Sequence, residues 1–227
     1  MEVIDILSQV SLFEDLTETE LAELATRFQE KRYRRENLII FEEDQEASLF
    51  VIASGRVKIS RVTDTGSEVN LAILSTGDFF GELAAVDGEA RSANVTSMEE
   101  VVLLTIRRED FLEVLEKMPA VAMAMIRELS RRLRFSDWQI QNLSTRDAEG
   151  RIVASLIYLA QETGTIHRGE VVIPQLPVQR DLANMSGTSR ETVSRTLKLF
   201  KDRKECTRKG RVLTIHDLES FRRKYLE

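Results

Sequence analysis

Residues 76–93 read Thr76-Gly77-Asp78-Phe79-Phe80-Gly81-Glu82-Leu83-Ala84-Ala85-Val86-Asp87-Gly88-Glu89-Ala90-Arg91-Ser92-Ala93. Turn signals stand near both ends, at Thr76-Gly77-Asp78 and Asp87-Gly88. Outward from this stretch the chain is built of short β-prone runs, at 38–41, 49–53, 56–62 and 69–74 before it and 93–97 and 101–106 after it. Ser54-Gly55 and Asp64-Thr65-Gly66 punctuate them, and five of the ten glycines fall between 55 and 88. Short strands at this spacing predict a rolled or closed antiparallel sheet.

Helical patterns flank the strands. Residues 12–28 carry Leu16, Leu21, Leu24 and Phe28 at helical spacing, with a capping signal at Thr17-Glu18-Thr19-Glu20. A long helix is expected from Pro119, where a missing N–H costs nothing. Within it Ile126, Leu129, Leu133, Ser136, Ile140 and Leu143 alternate as a and d positions. So narrow a seam reads as a coiled-coil dimer interface rather than a globular core face. The small polar Ser136 at a d position, with Asp137 beside it, would be costly in a dry seam, and a ligand lying against the helix would satisfy both.

Past Asp147-Ala148-Glu149-Gly150, read as a hinge and helix cap, a helix over 151–162 and a strand over 169–173 are expected. Helices over 178–185 and 189–201 then surround Ser186-Gly187-Thr188, a helix-turn-helix pattern in which Ser189 is the second cap. Residues 206–207 and 212–215 flank Arg208-Lys209-Gly210-Arg211 as a basic β-hairpin wing. The fold class is therefore α+β: an N-terminal antiparallel β-roll, a long dimerisation helix and a C-terminal winged helix-turn-helix. The domains expected are 1–118, 119–146 and 147–227.

The 227 residues hold 32 Lys+Arg against 38 Asp+Glu, a net charge of −6, and are 42% hydrophobic. That composition fits a globular chain and not a disordered one. No apolar run approaches bilayer length, and the first residues lack the cationic and apolar regions of a secretory signal, so a cytoplasmic location is expected. One cysteine, Cys206, excludes intramolecular disulfides, Cys₄ zinc sites and cysteine-held iron–sulfur clusters, and the two histidines offer little for metal or acid–base chemistry. The charge is unevenly spread. Residues 1–150 hold 17 basic and 29 acidic side chains, while residues 151–227 hold 15 basic and 9 acidic, nets of −12 and +6. An acidic module joined to one that meets a polyanion fits this split, although charge alone would equally describe two solvated surfaces.

Two motifs carry chemistry. In the first, a glycine turn exposing backbone N–H groups, together with Arg91 and the Ser92 hydroxyl, supplies what a phosphodiester oxygen requires. Glu82 would repel that phosphate but can accept from a ribose hydroxyl. The second is Thr188-Ser189-Arg190-Glu191-Thr192-Val193-Ser194-Arg195. Arg190, Glu191, Ser194 and Arg195 can project from one side of a helix while Val193 and Leu197 face inward. Arginine suits the O6/N7 edge of guanine and glutamate the N4 amino group of cytosine. An ordinary i, i+4 surface pair of Glu191 with Arg195 is the competing reading.

With these residues the chain resembles the cAMP receptor protein/FNR family of bacterial transcription regulators over nearly its whole length. Leu49-Phe50-Val51-Ile52 with Gly55, the Gly81–Ser92 cassette, Arg131-Arg132-Leu133, Gly150-Arg151-Ile152 and the second motif are the anchors. The resemblance implies a cyclic-nucleotide-binding roll, with Glu82 on the ribose 2′-OH, Arg91 and Ser92 on the cyclic phosphate, and backbone contacts from Gly81 and Leu83. The adenine-contacting hydroxyl pair of cAMP-binding members aligns with Ser136 and Asp137. Asp137 could accept from an exocyclic amino group, or select another base. The family's glycine in the first turn of the roll is missing from Phe41-Glu42-Glu43-Asp44-Gln45, and the one after the recognition helix from Arg203-Lys204-Glu205. The cysteines of the oxygen-sensing branch are absent, and no histidine falls in the first 150 residues to serve a haem sensor.

The reading is a homodimeric transcription regulator, not an enzyme, with no activated nucleophile or metal constellation in the sequence. Double-stranded DNA, a second copy of the chain through 119–146, a cyclic nucleotide and RNA polymerase are the expected partners, and no membrane. The resemblance implies cAMP as effector and half-sites like GTGA, with Arg190 and Arg195 on guanines and Glu191 on cytosine. Arg180, Thr188, Ser189, Lys198 and the wing cations would meet phosphates, and the loop 162–169 is the candidate polymerase contact. Control by cGMP or a cyclic dinucleotide, DNA binding without ligand, a purely structural nucleotide adaptor, and an enzyme acting on phosphorylated compounds stand as alternatives.

Overall fold

A computed structural model describes residues 2–64, 66, 68–167 and 169–226. Thr65 of the expected turn and Arg168 of the loop 162–169 therefore lie outside the described residues. The capping box at Thr17 forms: its hydroxyl accepts from the Glu20 N–H, and the Glu20 carboxylate accepts from the Thr17 N–H at 2.8 Å. It starts α2 (Glu18–Ala25), preceded by the short α1 (Val3–Leu7). The helix expected across 12–28 is thus confined to its middle. Residues 9–15 run as bends and turns instead, with Leu12, Phe13 and Leu16 buried in one core.

The roll comprises β1 (Gln29–Tyr33), β2 (Leu38–Ile40), β3 (Ser48–Ser54), β4 (Arg56–Val62), β5 (Glu68–Ser75), β6 (Phe79–Phe80), α3 (Glu82–Asp87), β7 (Asn94–Ser97) and β8 (Val101–Arg107). Two antiparallel four-stranded sheets result, in the orders β1-β8-β3-β6 and β2-β7-β4-β5. β3 is buried along nearly all its length, as the apolar run at 49–53 requires. β6 pairs on it through Phe50 with Phe80 and Val51 with Phe79. The Phe50 and Phe80 rings stack at 5.0 Å with planes 6° apart, a contact that contributes about 0.5–1.5 kcal/mol beyond burial. The sequence did not reveal β6, which is two residues long, or β1, a polar edge strand. The stretch read as a turn after Gly81 is the helix α3, started by Gly81 itself at φ 80°.

α4 (Arg108–Lys117) and α5 (Pro119–Thr145) follow. Val121, Ala124 and Met125 close the roll's core with Leu129 packed against it, so Leu129 serves its own unit as well as the expected seam. The chain divides into two compact units, Met1–Arg132 and Leu133–Glu227, and the division falls inside α5.

The second unit continues with α6 (Ala148–Thr163), capped by Asp147 accepting from the Gly150 N–H at 2.8 Å, then β9 (Thr165–His167), β10 (Glu170–Ile173), α7 (Gln179–Met185), α8 (Arg190–Asp202), β11 (Cys206–Lys209), β12 (Val212–Ile215) and α9 (Leu218–Leu226). Its sheet runs β11-β12-β10-β9, so the expected wing hairpin is half of a larger sheet. The region 162–169 is no simple loop: it holds β9, which pairs with β10 just after it. The helices bury Ile152, Leu156, Leu182, Val193, Leu197 and Phe200 in one core. Among the described residues no helix is long and apolar enough to cross a membrane.

Candidate functional site

Gly81, Glu82, Leu83, Arg91 and Ser92 come together around one cavity of the first unit, also walled by Phe80 and Arg132. It measures about 70 Å³. Pockets that enclose a small ligand whole run to roughly 300–1,000 Å³, so this one has room for only part of such a ligand. Gly81 is required twice over. It is left-handed, and a Cβ there would lie 2.6 Å from the Arg91 guanidinium and 2.7 Å from the Ser48 carbonyl.

Arg91 is only 5% exposed. Its Nη1 donates to the Gly81 carbonyl at 3.0 Å and its Nη2 to the Ser48 carbonyl at 2.9 Å, with the guanidinium 5.6 Å from the centre of the Phe50 ring. Burial pulls its pKa below the ordinary guanidinium value, and the carboxylates of Glu46, Glu82 and Asp44 pull the other way. Two of its five N–H groups are spent on these carbonyls, which fix the plane of the fork. Ser92 and Leu83 are exposed at the mouth.

Glu82 is nearly buried, and its carboxylate accepts from Arg132 Nη1 at 3.0 Å. Arg132 also donates to the Phe79 carbonyl at 3.2 Å, lies 4.9 Å from the Phe79 ring centre, and donates to Glu128 at 2.7 Å. Hydrogen bonds from Arg131 and Arg132 hold the Glu128 carboxyl below its usual range. In the sequence Arg132 stands out only as the middle of Arg131-Arg132-Leu133. Its approach to Glu82 spans 50 residues, and no local signal announces it. Ser136 and Asp137 belong to the second unit, where both are exposed.

In the second unit Ser189 caps α8 by accepting from the Thr192 N–H at 3.1 Å. Arg190, Glu191, Ser194, Arg195 and Lys198 are exposed, while Val193, Thr196 and Leu197 are buried. The helix therefore presents the anticipated face. Its own backbone N–H and the Ser189 hydroxyl hold the Glu191 carboxyl below the usual range, which leaves it an acceptor. No ion pair joins Glu191 to Arg195 among the described residues. Arg195 instead reaches the Thr192 hydroxyl at 3.5 Å, so the competing surface-pair reading loses its geometry. Between α8 and the wing lies a groove of about 320 Å³ edged by Lys198, Lys201 and Arg208. Lys201 was missed in the sequence because nothing local tied it to the wing. Arg180 and Ser189 are exposed and Thr188 half-buried.

A β-roll with a buried arginine and a nearly buried carboxylate at one small cavity, joined in one chain to a winged helix-turn-helix with an exposed polar face on its second helix, defines a class: a small-ligand domain coupled to a DNA-binding domain. Comparison with known proteins agrees for each part. Residues 30–118 match the cyclic nucleotide-binding domain family, and residues 150–224 the Crp-like helix-turn-helix domain family. The chain is 30% identical over 220 residues to a CRP-like cAMP-activated global transcriptional regulator of Mycobacterium tuberculosis, covering 97% of this chain and 98% of that one. It is 34% identical over 186 residues to the cyclic AMP receptor protein of Thermus thermophilus, covering 82% and 83%. The crystal structure of the Thermus thermophilus catabolite activator protein superposes with a TM-score of 0.56 at 30% identity, over 93% of this chain and 96% of that one. This chain belongs to the CRP/FNR family of bacterial transcription regulators.

Proposed function

We propose that the chain works as a homodimeric regulator in the cytoplasm whose affinity for a palindromic operator is set by cAMP. Arg91 and Ser92 hold the cyclic phosphate, Glu82 the ribose 2′-OH, and Gly81 and Leu83 offer backbone contacts. Ser136 and Asp137 meet the base. The observation that carries this reading is the buried Arg91 fork, fixed by two main-chain carbonyls beside a nearly buried carboxylate in one small cavity. A merely structural arginine would have no need of Glu82 and an exposed hydroxyl at the same cavity. The relatives named as cAMP-activated support the choice of nucleotide. Asp137, a carboxylate where cAMP binders carry a hydroxyl, favours a second reading, since it could accept from the amino group of guanine in cGMP or a cyclic dinucleotide.

On DNA, Arg190 and Arg195 read guanines and Glu191 a cytosine in GTGA-like half-sites about one helical turn apart. Arg180, Thr188, Ser189, Lys198 and the wing position the helix on phosphates, and Ser194 lies on the same DNA-facing side as the base readers. The dimer forms through α5, on which Ile126, Leu133, Ile140 and Leu143 are each more than half exposed. The segment 162–169, which carries β9, is the proposed polymerase contact.

Calorimetric titration of the purified chain with cAMP tests the proposal, with cGMP and cyclic dinucleotides as competitors and Arg91→Lys as control. Binding by the wild type and a loss of at least ten-fold in the variant, about 1.4 kcal/mol, are expected. Heat from cGMP alone would move the assignment to the second reading. No heat from any cyclic nucleotide would retire both.

A further inference from the structure

The turn that leads into α8 is closed on itself by main-chain bonds, from the Gly187 N–H to the Asn184 carbonyl at 3.2 Å and from the Thr188 N–H to the Ala183 carbonyl at 3.0 Å, and one side chain ties it to α6. Arg151, on α6, donates from Nε to the Ser186 carbonyl at 2.9 Å, from Nη2 to the Gly187 carbonyl at 3.0 Å and from Nη1 to the Arg146 carbonyl at 2.9 Å. The first of these carbonyls belongs to the residue that caps α7 and the second to the residue after it. Gln139 of α5 adds a bond from Nε2 to the Met185 carbonyl at 3.3 Å. Gly187 has φ 56°, and a Cβ on it would lie 2.5 Å from a Leu143 methyl, so α5 touches the same turn. Nearby, Phe135 and Trp138 of α5 pack on Tyr158 of α6, with each ring 5.2 Å from the tyrosine. Beneath the turn a cavity of about 190 Å³ remains, lined by Trp138, Asn142, Ser155 and Asn184 among others.

We propose that Arg151 is the positioning residue of the recognition helix: its planar fork fixes the Ser186-Gly187 turn, and through it the direction in which α8 presents Arg190, Glu191 and Arg195. The segment 147–151, read from sequence as a hinge, then acts as a brace, and the last turns of α5 belong with α6 and α7 in one body. A guanidinium suits this task because three carbonyls at fixed angles match three N–H directions of one plane, whereas an ammonium is a point donor. The proposal rests on reading α8 as the DNA-contacting helix.

The test compares full-length wild type with Arg151→Lys and Arg151→Gln. Affinity is measured for a site selected by the wild type from random duplex DNA and for an unrelated duplex, with melting temperature and amide exchange alongside. Arg151→Lys keeps the charge, so non-specific affinity, which follows phosphate neutralisation, should hold. Affinity for the selected site should fall roughly ten-fold, as expected for losing hydrogen bonds from a charged donor. Exchange should quicken at 185–189 and not in the roll. Unchanged selected-site affinity and exchange in both variants would overturn the proposal. Equal losses on both DNAs together with a lower melting temperature would also overturn it, by making Arg151 a general stabiliser. A wild type that selects no sequence would retire the reading of α8, and the exchange at 185–189 would still decide the brace.

Discussion

At φ 59° Lys204 occupies the left-handed position of a helix end closed by two 3.0 Å bonds, from the Lys204 N–H to the Lys201 carbonyl and from the Glu205 N–H to the Phe200 carbonyl. That pair of bonds is the Schellman motif, in which glycine is the usual residue. The missing family glycine therefore changed the residue and left the turn intact. Glu43, at φ 75°, repeats this in the roll, where its N–H donates to the Arg91 carbonyl at 2.9 Å. The left-handed conformation costs a side-chain-bearing residue about 1–2 kcal/mol, while glycine gives part of that back through its looser unfolded chain. Lys204→Gly should therefore raise stability by about 0.5–1 kcal/mol, read as a higher urea midpoint at constant slope. A lowered midpoint would mean that the Lys204 side chain makes an interaction worth more than the strain. Next to it Cys206 is 2% exposed, and burial, aided by Glu205, pushes its thiol up to about 11. So protonated a thiol is inert at neutral pH, which fits a packing residue and not a redox sensor.

The elements legible in sequence were those with a local reason to form. Strands β3, β4, β5 and β8 announced themselves as β-prone runs between glycine turns, and α2, α6 and α8 by caps at Thr17, Asp147 and Ser189. Those that went unread draw their stability from tertiary contacts. β1 is an edge strand of sequence QEKRY with no apolar face, and β9 is exposed throughout. α9 has four charged residues among its nine and is held by Phe221, whose ring meets Phe200 edge-on at 5.0 Å. The same rule divides the sites. Gly81, Glu82, Arg91 and Ser92 lie within twelve residues and could be read as one cassette, whereas Arg132 on Glu82 and Arg151 on the α7 turn join groups 50 and 35 residues apart. Helix α5 carries the clearest prediction at this scale. Leu133 is 63% exposed, an arrangement that makes sense when a second copy covers it. Leu133→Glu should yield a monomer in sedimentation at concentrations where the wild type is dimeric, because a charge buried at a seam position costs more than the leucine contributed. A variant that stays dimeric would place the interface elsewhere.

Across the whole molecule the net charge of −6 misleads, since nets of −12 and +6 lie before and after residue 150. DNA meets the second region's local field, not the average, because charges more than about 8–10 Å away are screened at physiological salt. The exposed Lys198 edges the groove between α8 and the wing together with Lys201 and Arg208. Its replacement in Lys198→Gln should flatten the dependence of log K on log salt by about 0.9 for each phosphate no longer neutralised, twice that in a symmetric dimer. Glu116, exposed on α4 in the first unit, provides the control. Glu116→Gln changes the net charge by the same amount in the favourable direction, yet should leave the slope where it was. Glu191→Ala separates a third behaviour: it adds to the positive field but should relax base choice at one position by about 1–3 kcal/mol, with little change in slope. If the slope instead followed net charge whichever unit carried the substitution, DNA would be sensing the molecule as a single sphere, and α8 and the wing would lose their place as its contact surface.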